Sequence, residues 1–570
     1  MRLVFCLLLA AGLAACTDAP EEASNSADSA GPAIGPLLEN AQILPANAVS
    51  IGTIKAITQE LADDRYEGRA PATPGGDLSE AYLASMMKEM GFAPGNGDSY
   101  LQSVPMVSIA LEPERSSVKL SGGGVGHMLK YRDEIVYHTR RVVPSVRLEA
   151  SELVFVGYGI VAPEYGWDDY AGVDVTGKTV VMLVNDPGFA TKDPDVFKGK
   201  AMTYYGRWTY KYEEASRQGA AGALIIHQSA PASYGWSVVE TGWSGPQLDL
   251  KREDGNASRV AMEGWVSEDF AKELFAAGGL DFGALTAAAA APNFKAVDMG
   301  ELQIDAVLTN QLDYVTASNV IGIIKGSRAP DEAILYTAHF DHLGKTDVAE
   351  GEDGIFNGAV DNAVGTAAIM AIGEAFAKAP TPPERSVIIA AFTAEESGLL
   401  GSAYFAEHPP VPLSKMIGGI NLDAILPTTK ARDVTVTGLG ASELEEVLGF
   451  YAGKAGVTLS AEATPEAGLF YRSDHISLSK VGVPMLYLDE GLDLVDGGIE
   501  AGKALSDAYY SGPYHQVTDK YDPAWPMENL EQVTALAYQT GNALVRTSLW
   551  PNWFAGNEFK GLRDAMRAQQ

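Results

Sequence analysis

Cysteine is almost absent from this chain: its 570 residues include two, Cys6 and Cys16. Both stand at the extreme N-terminus, so no disulfide is available to staple a folded domain, and stability has to come from buried apolar surface or from metal. Positive charge is also scarce, 41 Lys and Arg against 74 Asp and Glu. That balance excludes nucleic acid as a partner, because phosphate binding needs the opposite sign. Beyond the first residues there is no apolar run long enough to cross a bilayer as a helix, and there is no internal repeat. Histidine is sparse too, with 8 in all, so its placement is informative.

The N-terminus carries the first positive signal. "MRLVFCLLLAAGLAAC" has one basic residue, then an apolar run too short to span a membrane as a mature helix. It closes on Leu13-Ala14-Ala15-Cys16, which resembles a bacterial lipobox, in which the cysteine is lipidated and becomes the new N-terminus. Residues 1–15 are therefore expected to be a lipoprotein signal peptide. The small, polar and acidic stretch 16–45 is expected to be a flexible tether. Thr17, where an aspartate would signal inner-membrane retention, points to a lipid anchor at Cys16 in the outer membrane, facing the periplasm.

The length suggests two or three domains. Residues 46–139 open with two segments of helical periodicity, separated by a Gly/Pro-rich loop that contains "YEGRAP". Short β-prone runs such as "ELVFVGYGIV" and "KTVVMLVND" then alternate with Gly-rich turns, which predicts an inserted β-rich module over 140–295. Over 296–570 the pattern becomes strand, loop, helix, repeatedly. This predicts an α/β fold with a mixed, mostly parallel central sheet and helices on both faces.

In such sheets ligands bind at the carboxyl ends of the strands. "ILYTAHFDHLG" ends in His339, Asp341 and His342; Glu395 and Glu396 follow "SVIIAAFTA"; Asp423 closes "IGGINL"; Asp361 opens a helix. Carboxylates gathered at one sheet edge repel one another unless a cation sits among them. A mixed imidazole and carboxylate set suits Zn²⁺ best, with Mn²⁺ or Co²⁺ as substitutes.

The motifs "HFD" at 339–341, "GAVDNAVG" at 358–365, "TAEESGLLGS" at 393–402, "NLD" at 421–423 and "YHQVTD" at 514–519 stand in the order of a known family. By them the chain resembles the co-catalytic di-zinc aminopeptidases, the bacterial leucyl aminopeptidase-like members of the superfamily that includes glutamate carboxypeptidase, glutaminyl cyclase and transferrin receptor. The resemblance implies a zinc exopeptidase fold holding two Zn²⁺. His339 and Asp423 would bind one, Glu396 and His515 the other, and Asp361 would bridge them. It further implies Glu395 as general base, Asp341 as the carboxylate that orients His339, and Tyr514 as donor to the developing oxyanion. His342 and His475 have no ligand role in the family pattern. "YAGVDVTGKTVVMLVNDP" and "EEASRQGAAGALIIH" resemble a protease-associated domain.

The function so implied is removal of N-terminal residues from short peptides. A carboxypeptidase or dipeptidase of the same fold would need a basic cluster for the terminal carboxylate, and Arg472 alone stands near a motif. A glutaminyl cyclase would use one zinc, and a non-catalytic binding protein would not need Glu395.

Overall fold

The computed structural model describes residues 48–568 together with Leu38. The expected signal peptide, Cys16 and the tether apart from Leu38 lie outside the described residues; Leu38, inside the stretch expected to be a flexible tether, is instead fully buried in the hydrophobic cluster of the central sheet, where its apolar side chain finds a packed site. Among those described, no helix is long and apolar enough to cross a membrane.

The fold rests on "AILYTAH", residues 333–339, which forms the inner part of the strand Ala329–His339. Its residues are buried on both faces, as a central parallel strand requires. Ile334, Tyr336 and Ala338 join one hydrophobic cluster, while Ala333 and Leu335 join another on the opposite face. Arg385–Phe392 and Met416–Leu422 flank it in parallel, and Met485–Asp489 continues the parallel set. Outside this centre, Asp433–Thr437 pairs antiparallel with Met485–Asp489. On the other side the second half of Val297–Ile324 pairs antiparallel with Arg385–Phe392 and with Leu101–Leu111. The result is the mixed, mostly parallel sheet expected from the sequence.

Helices Ile51–Leu61, Gly365–Ala377, Leu444–Ala455 and Glu528–Arg546 supply apolar residues to one face. Leu400–Glu407 and His475–Ser479 cover the other. The Ala/Gly-rich composition of Gly365–Ala377 reflects close approach: a Cβ on Gly365 would come within 2.2 Å of Asn362 Oδ1 and 2.4 Å of the Leu422 carbonyl. Both neighbours adjoin carboxylates described below, Asn362 following Asp361 and Leu422 preceding Asp423.

A second sheet forms the inserted module. Ser145–Phe155, Thr179–Leu183, Gly222–Ile226 and Met262–Val266 lie side by side in parallel. Ile135–His138 closes one edge against Met262–Val266. The first half of Val297–Ile324 pairs with Ser145–Phe155 and with Ser117–Gly122. This 28-residue strand thus runs from the module's sheet into the central one.

The module is accordingly wider than the 140–295 read from the sequence. Ser117–Gly122 and Ile135–His138 belong to its sheet, as does the start of Val297–Ile324, whereas Pro246–Leu250 leaves it to pair with Leu101–Leu111. The physical reason is that sheet membership is decided by hydrogen bonds between distant strands, while composition reports only local β propensity.

Candidate active site

The parallel strands deliver their polar ends to one edge, and each turn there is fixed by a specific bond. His339 is the last residue of its strand. Its Nδ1 lies 3.2 Å from the Asp341 carbonyl oxygen and 3.7 Å from Asp341 Oδ1. Donation from Nδ1–H to these acceptors leaves Nε2 free to act as a ligand atom. That Nε2 stands 3.1 Å from Asp423 Oδ1, 3.2 Å from Asp361 Oδ1 and 4.0 Å from Glu395 Oε2. Asp341 Oδ1 also accepts from the Glu395 backbone N–H at 3.1 Å, tying the first loop to the second.

Glu395 and Glu396 face different partners. Glu395 looks toward His339, while Glu396 Oε1 lies 2.8 Å from His342 Nδ1 and its Oε2 lies 3.3 Å from His515 Nε2. His515 Nε2 is also 3.1 Å from Asp361 Oδ2. Asp361 therefore presents one oxygen to His339 and the other to His515. Tyr514 stacks on the His515 ring at a centroid distance of 3.9 Å, which brings the tyrosine to the same edge. All the site residues expected from the sequence, His339, Asp341, Asp361, Glu395, Glu396, Asp423, Tyr514 and His515, come together here. The His515 side chain keeps 35% of its accessible surface and the His339 side chain 1%, so the pocket opens on the His515 side.

The supporting bonds come from residues the motif reading left without a role. Asp519 accepts from the Val360 and Asp361 backbone N–H groups at 3.0 and 3.1 Å. Asn362 donates to the Leu422 carbonyl and accepts from Gly365 N and Ala424 N, joining the Asp361 and Asp423 loops. The Ser473 hydroxyl donates to Asp423 Oδ2 at 2.5 Å. Arg69, of "YEGRAP", is fully buried behind the site and donates to the carbonyls of Phe340, Leu61, Asn357 and Gly358. His342 is the notable omission, since it directly follows Asp341 and yet lies outside the family's ligand spacing. His475, also set aside, is buried between the rings of Phe470 and Tyr487, and burial pushes it down to about 3, so it is neutral.

The electrostatics are those of a site short of positive charge. Burial pushes the Glu395 carboxyl well above the ordinary range, and crowding by Glu396 and Asp423 adds to this against the pull of His339. Burial opposes charge on His515, but Asp361 and Glu396 outweigh it and raise the imidazole to about 10. His339, Asp361 and Asp423 each offer a ligand atom within 4.8 Å of the others, and so do His342, Asp361 and Glu396. Asp361 belongs to both groups. The imidazole nitrogens and carboxylate oxygens are the donor set of zinc, so the residues fit that metal.

Residues 319–540 match the model described as peptidase family M28. Aminopeptidase NAALADL1 of Mus musculus is 36% identical over 110 residues, 19% of this chain and 13% of that protein. A probable zinc metalloprotease of Pyrenophora tritici-repentis is 35% identical over 118 residues, 21% of this chain and 24% of that protein. The chain thus matches about a quarter or less of the length of these curated relatives. Among solved structures, an aminopeptidase from Aneurinibacillus sp. strain AM-1 aligns over 89% of this chain and 96% of its own, at 18% identity and a TM-score of 0.47. The LapA aminopeptidase of Legionella pneumophila aligns over 40% of this chain and 56% of its own, at 20% identity and a TM-score of 0.30.

Proposed function

We propose that this chain, whose residues 319–540 belong to peptidase family M28, is a zinc aminopeptidase that removes N-terminal residues from short peptides. The observation that carries the reading is the position of Asp361, with Oδ1 3.2 Å from His339 Nε2 and Oδ2 3.1 Å from His515 Nε2. A carboxylate so divided suits two metals. His339 and Asp423 would hold one, Glu396 and His515 the other, and Asp361 both. His342 would orient Glu396 through its second oxygen. Bound zinc supplies a Lewis acid for the scissile carbonyl and acidifies an attacking water.

The chain's own groups do the rest. Glu395, with its raised carboxyl pKa, accepts the proton of the attacking water and passes it to the leaving amine. Asp341 fixes the His339 ring, and the Tyr514 hydroxyl, kept protonated by burial and the surrounding carboxylates, donates to the developing oxyanion. The free amine of the substrate is drawn to the acidic pocket, where Glu395 and Asp423 can receive it.

The same proposal assigns the inserted module to the protease-associated type and places the enzyme on the outer membrane through lipidated Cys16. The module reading is supported by its parallel strands and by its contact with the peptidase part of the chain, where Met202 N donates to the Pro465 carbonyl. The anchor rests on the lipobox resemblance, and Cys16→Ser is expected to move the protein from the membrane to the soluble fraction.

The reading is tested with paired free and N-acetylated dipeptides and tripeptides, with zinc counted in the same sample. Rapid turnover of the free-amine peptides with close to two zinc ions per chain is expected. Preference for blocked peptides would overturn the aminopeptidase reading, and full activity with a single zinc would favour cyclase chemistry.

A further inference from the structure

Asp489 is an acid beside the metal pocket to which the expected ligand set gives no work. It closes the strand Met485–Asp489, which runs parallel to Met416–Leu422 with Leu488 opposite Leu422. Asp489 therefore stands next to Asp423, one strand over, and neighbouring strands lie about 4.8 Å apart. The two acids share a face of the sheet. Leu422 and Leu488 turn into the large hydrophobic cluster on the other face, and alternation sends their successors the opposite way. Their contacts agree: Asn421 and Asp423 both meet Ser473, and the Tyr487 ring lies 4.9 Å from that of His475, two residues further on.

No base answers this acid. Among the described residues no lysine, arginine or histidine stands in ion-pair range of Asp489. Its Oδ1 accepts from the Glu490 backbone N–H at 2.8 Å. Burial raises its carboxyl well above the ordinary range, and the charges of Glu490 and Asp423 raise it further. Glu490 is engaged inside the fold, where its Oε2 accepts from Leu426 N at 2.9 Å. Asp489, by contrast, keeps part of its surface open.

Tyrosines frame the opening. Asp489 acts on Tyr510 and Tyr487, and Asp423 acts on both of these and on Tyr514. The Tyr510 and Tyr514 rings lie 5.2 Å apart, and Tyr514 stacks on His515. Tyr510 keeps 46% of its surface exposed, so this aromatic wall stands on the open, His515 side of the pocket. A carboxylate behind aromatic rings suits a cation carried on a long apolar stem. The stem packs on the rings, the ring faces attract the charge, and the carboxylate pairs with it. An apolar group in the same place would cut Asp489 off from water and give nothing in return.

We propose that Asp489 selects the residue the enzyme removes, receiving the ammonium or guanidinium of an N-terminal lysine or arginine. This rests on the aminopeptidase reading and deepens it. Glu395 and Asp423 hold the amine, and the side chain rooted on the same carbon reaches the neighbouring strand end. The preference sets this chain apart from the leucyl aminopeptidases that its motifs resemble.

The test measures kcat/KM of the zinc-loaded enzyme on Lys-Gly, norleucyl-Gly, Arg-Gly and citrullyl-Gly. Norleucine has the stem of lysine without the ammonium, and citrulline has the shape of arginine without the charge. A preference of roughly 10- to 100-fold for the charged member is expected in each pair, the worth of a charge-assisted contact. Asp489→Asn should bring both ratios near one, Asp489→Glu should keep part of the preference, and both variants should hold as much zinc as the wild type. Ratios near one in the wild-type enzyme would overturn the proposal without any variant. So would an Asp489→Asn enzyme that loses charged and neutral substrates equally, or one that keeps the full preference. Turnover of all four peptides at similar rates sinks only the basic-residue pocket. Failure to turn over any free-amine peptide would sink the aminopeptidase reading along with it.

Discussion

The inserted module and the strand ends of the central sheet both bury acids, and they treat them oppositely. In the module, Lys211 is fully buried, donates to the Tyr158 carbonyl at 2.6 Å and sits in the field of Asp169 and Asp186. Asp186 accepts from Thr203 N, the Thr203 hydroxyl and Gly188 N; Asp169 accepts from Ile160 N and Trp167 Nε1. Glu263, wholly buried, meets Arg259 at 2.8 Å and Arg140 at 3.7 Å. Acids there are matched by bases inside the fold. At the strand ends, Asp341, Asp361, Glu395, Glu396 and Asp423 crowd together, and among the described residues imidazoles are the only basic side chains in ion-pair range of them, while the Arg69 guanidinium is committed to backbone carbonyls. Matched charge holds a scaffold, whereas a surplus of one sign marks where something from outside completes the structure.

The largest effect expected is on turnover. Glu395→Gln removes a proton acceptor and no ligand, so kcat should fall roughly 10²–10⁴-fold with both zinc ions retained. Glu396→Gln should instead empty the second site, with activity partly returning in excess zinc. Rates and metal counts on both variants check this, and zinc loss from Glu395→Gln would exchange the two roles.

The module side of the comparison is probed by Lys211→Met, which leaves Asp169 and Asp186 without their base. Denaturant unfolding should show a loss of about 1–3 kcal/mol, the cost of leaving the Tyr158 carbonyl without its donor and two buried carboxylates without a nearby cation. An equally stable variant would break the contrast between matched and unmatched acids.

A smaller effect is expected from His342→Ala. If its bond to Glu396 orients a ligand, zinc affinity should weaken roughly 10- to 100-fold, with the residual sites still filled at high metal. Competition with a chelator measures it, and an unchanged affinity would return His342 to the role of a buried bystander.

The mildest test is the pH profile. A general base works deprotonated, and the Glu395 carboxyl is raised by burial and by its acidic neighbours. Activity should be present above that raised pKa and fall as pH drops through it. The acid limb of kcat/KM should therefore stand above the value near 4.3 of an ordinary glutamate. A limb at or below that value would mean that Glu395 is more solvated or better paired than its burial indicates.

By itself the sequence determined the central sheet and the chemistry at its edge. Buried parallel strands read as near-continuous apolar runs, and a ligand-bearing turn directly after such a run is local in sequence, so His339, Glu395, Glu396 and Asp423 could be found without coordinates. Tertiary structure alone decided which residues support them. Asp519 grips the backbone of Val360 and Asp361 across 159 and 158 sequence positions, Asn362 joins the Asp361 and Asp423 turns, and Arg69 reaches carbonyls from a distant segment. These bonds follow from chain crossings that leave no periodic trace. The same holds for the module's true edges, set by which strands Val297–Ile324 meets. Residues so far apart in sequence meet only when the whole chain is folded, and no local pattern encodes that.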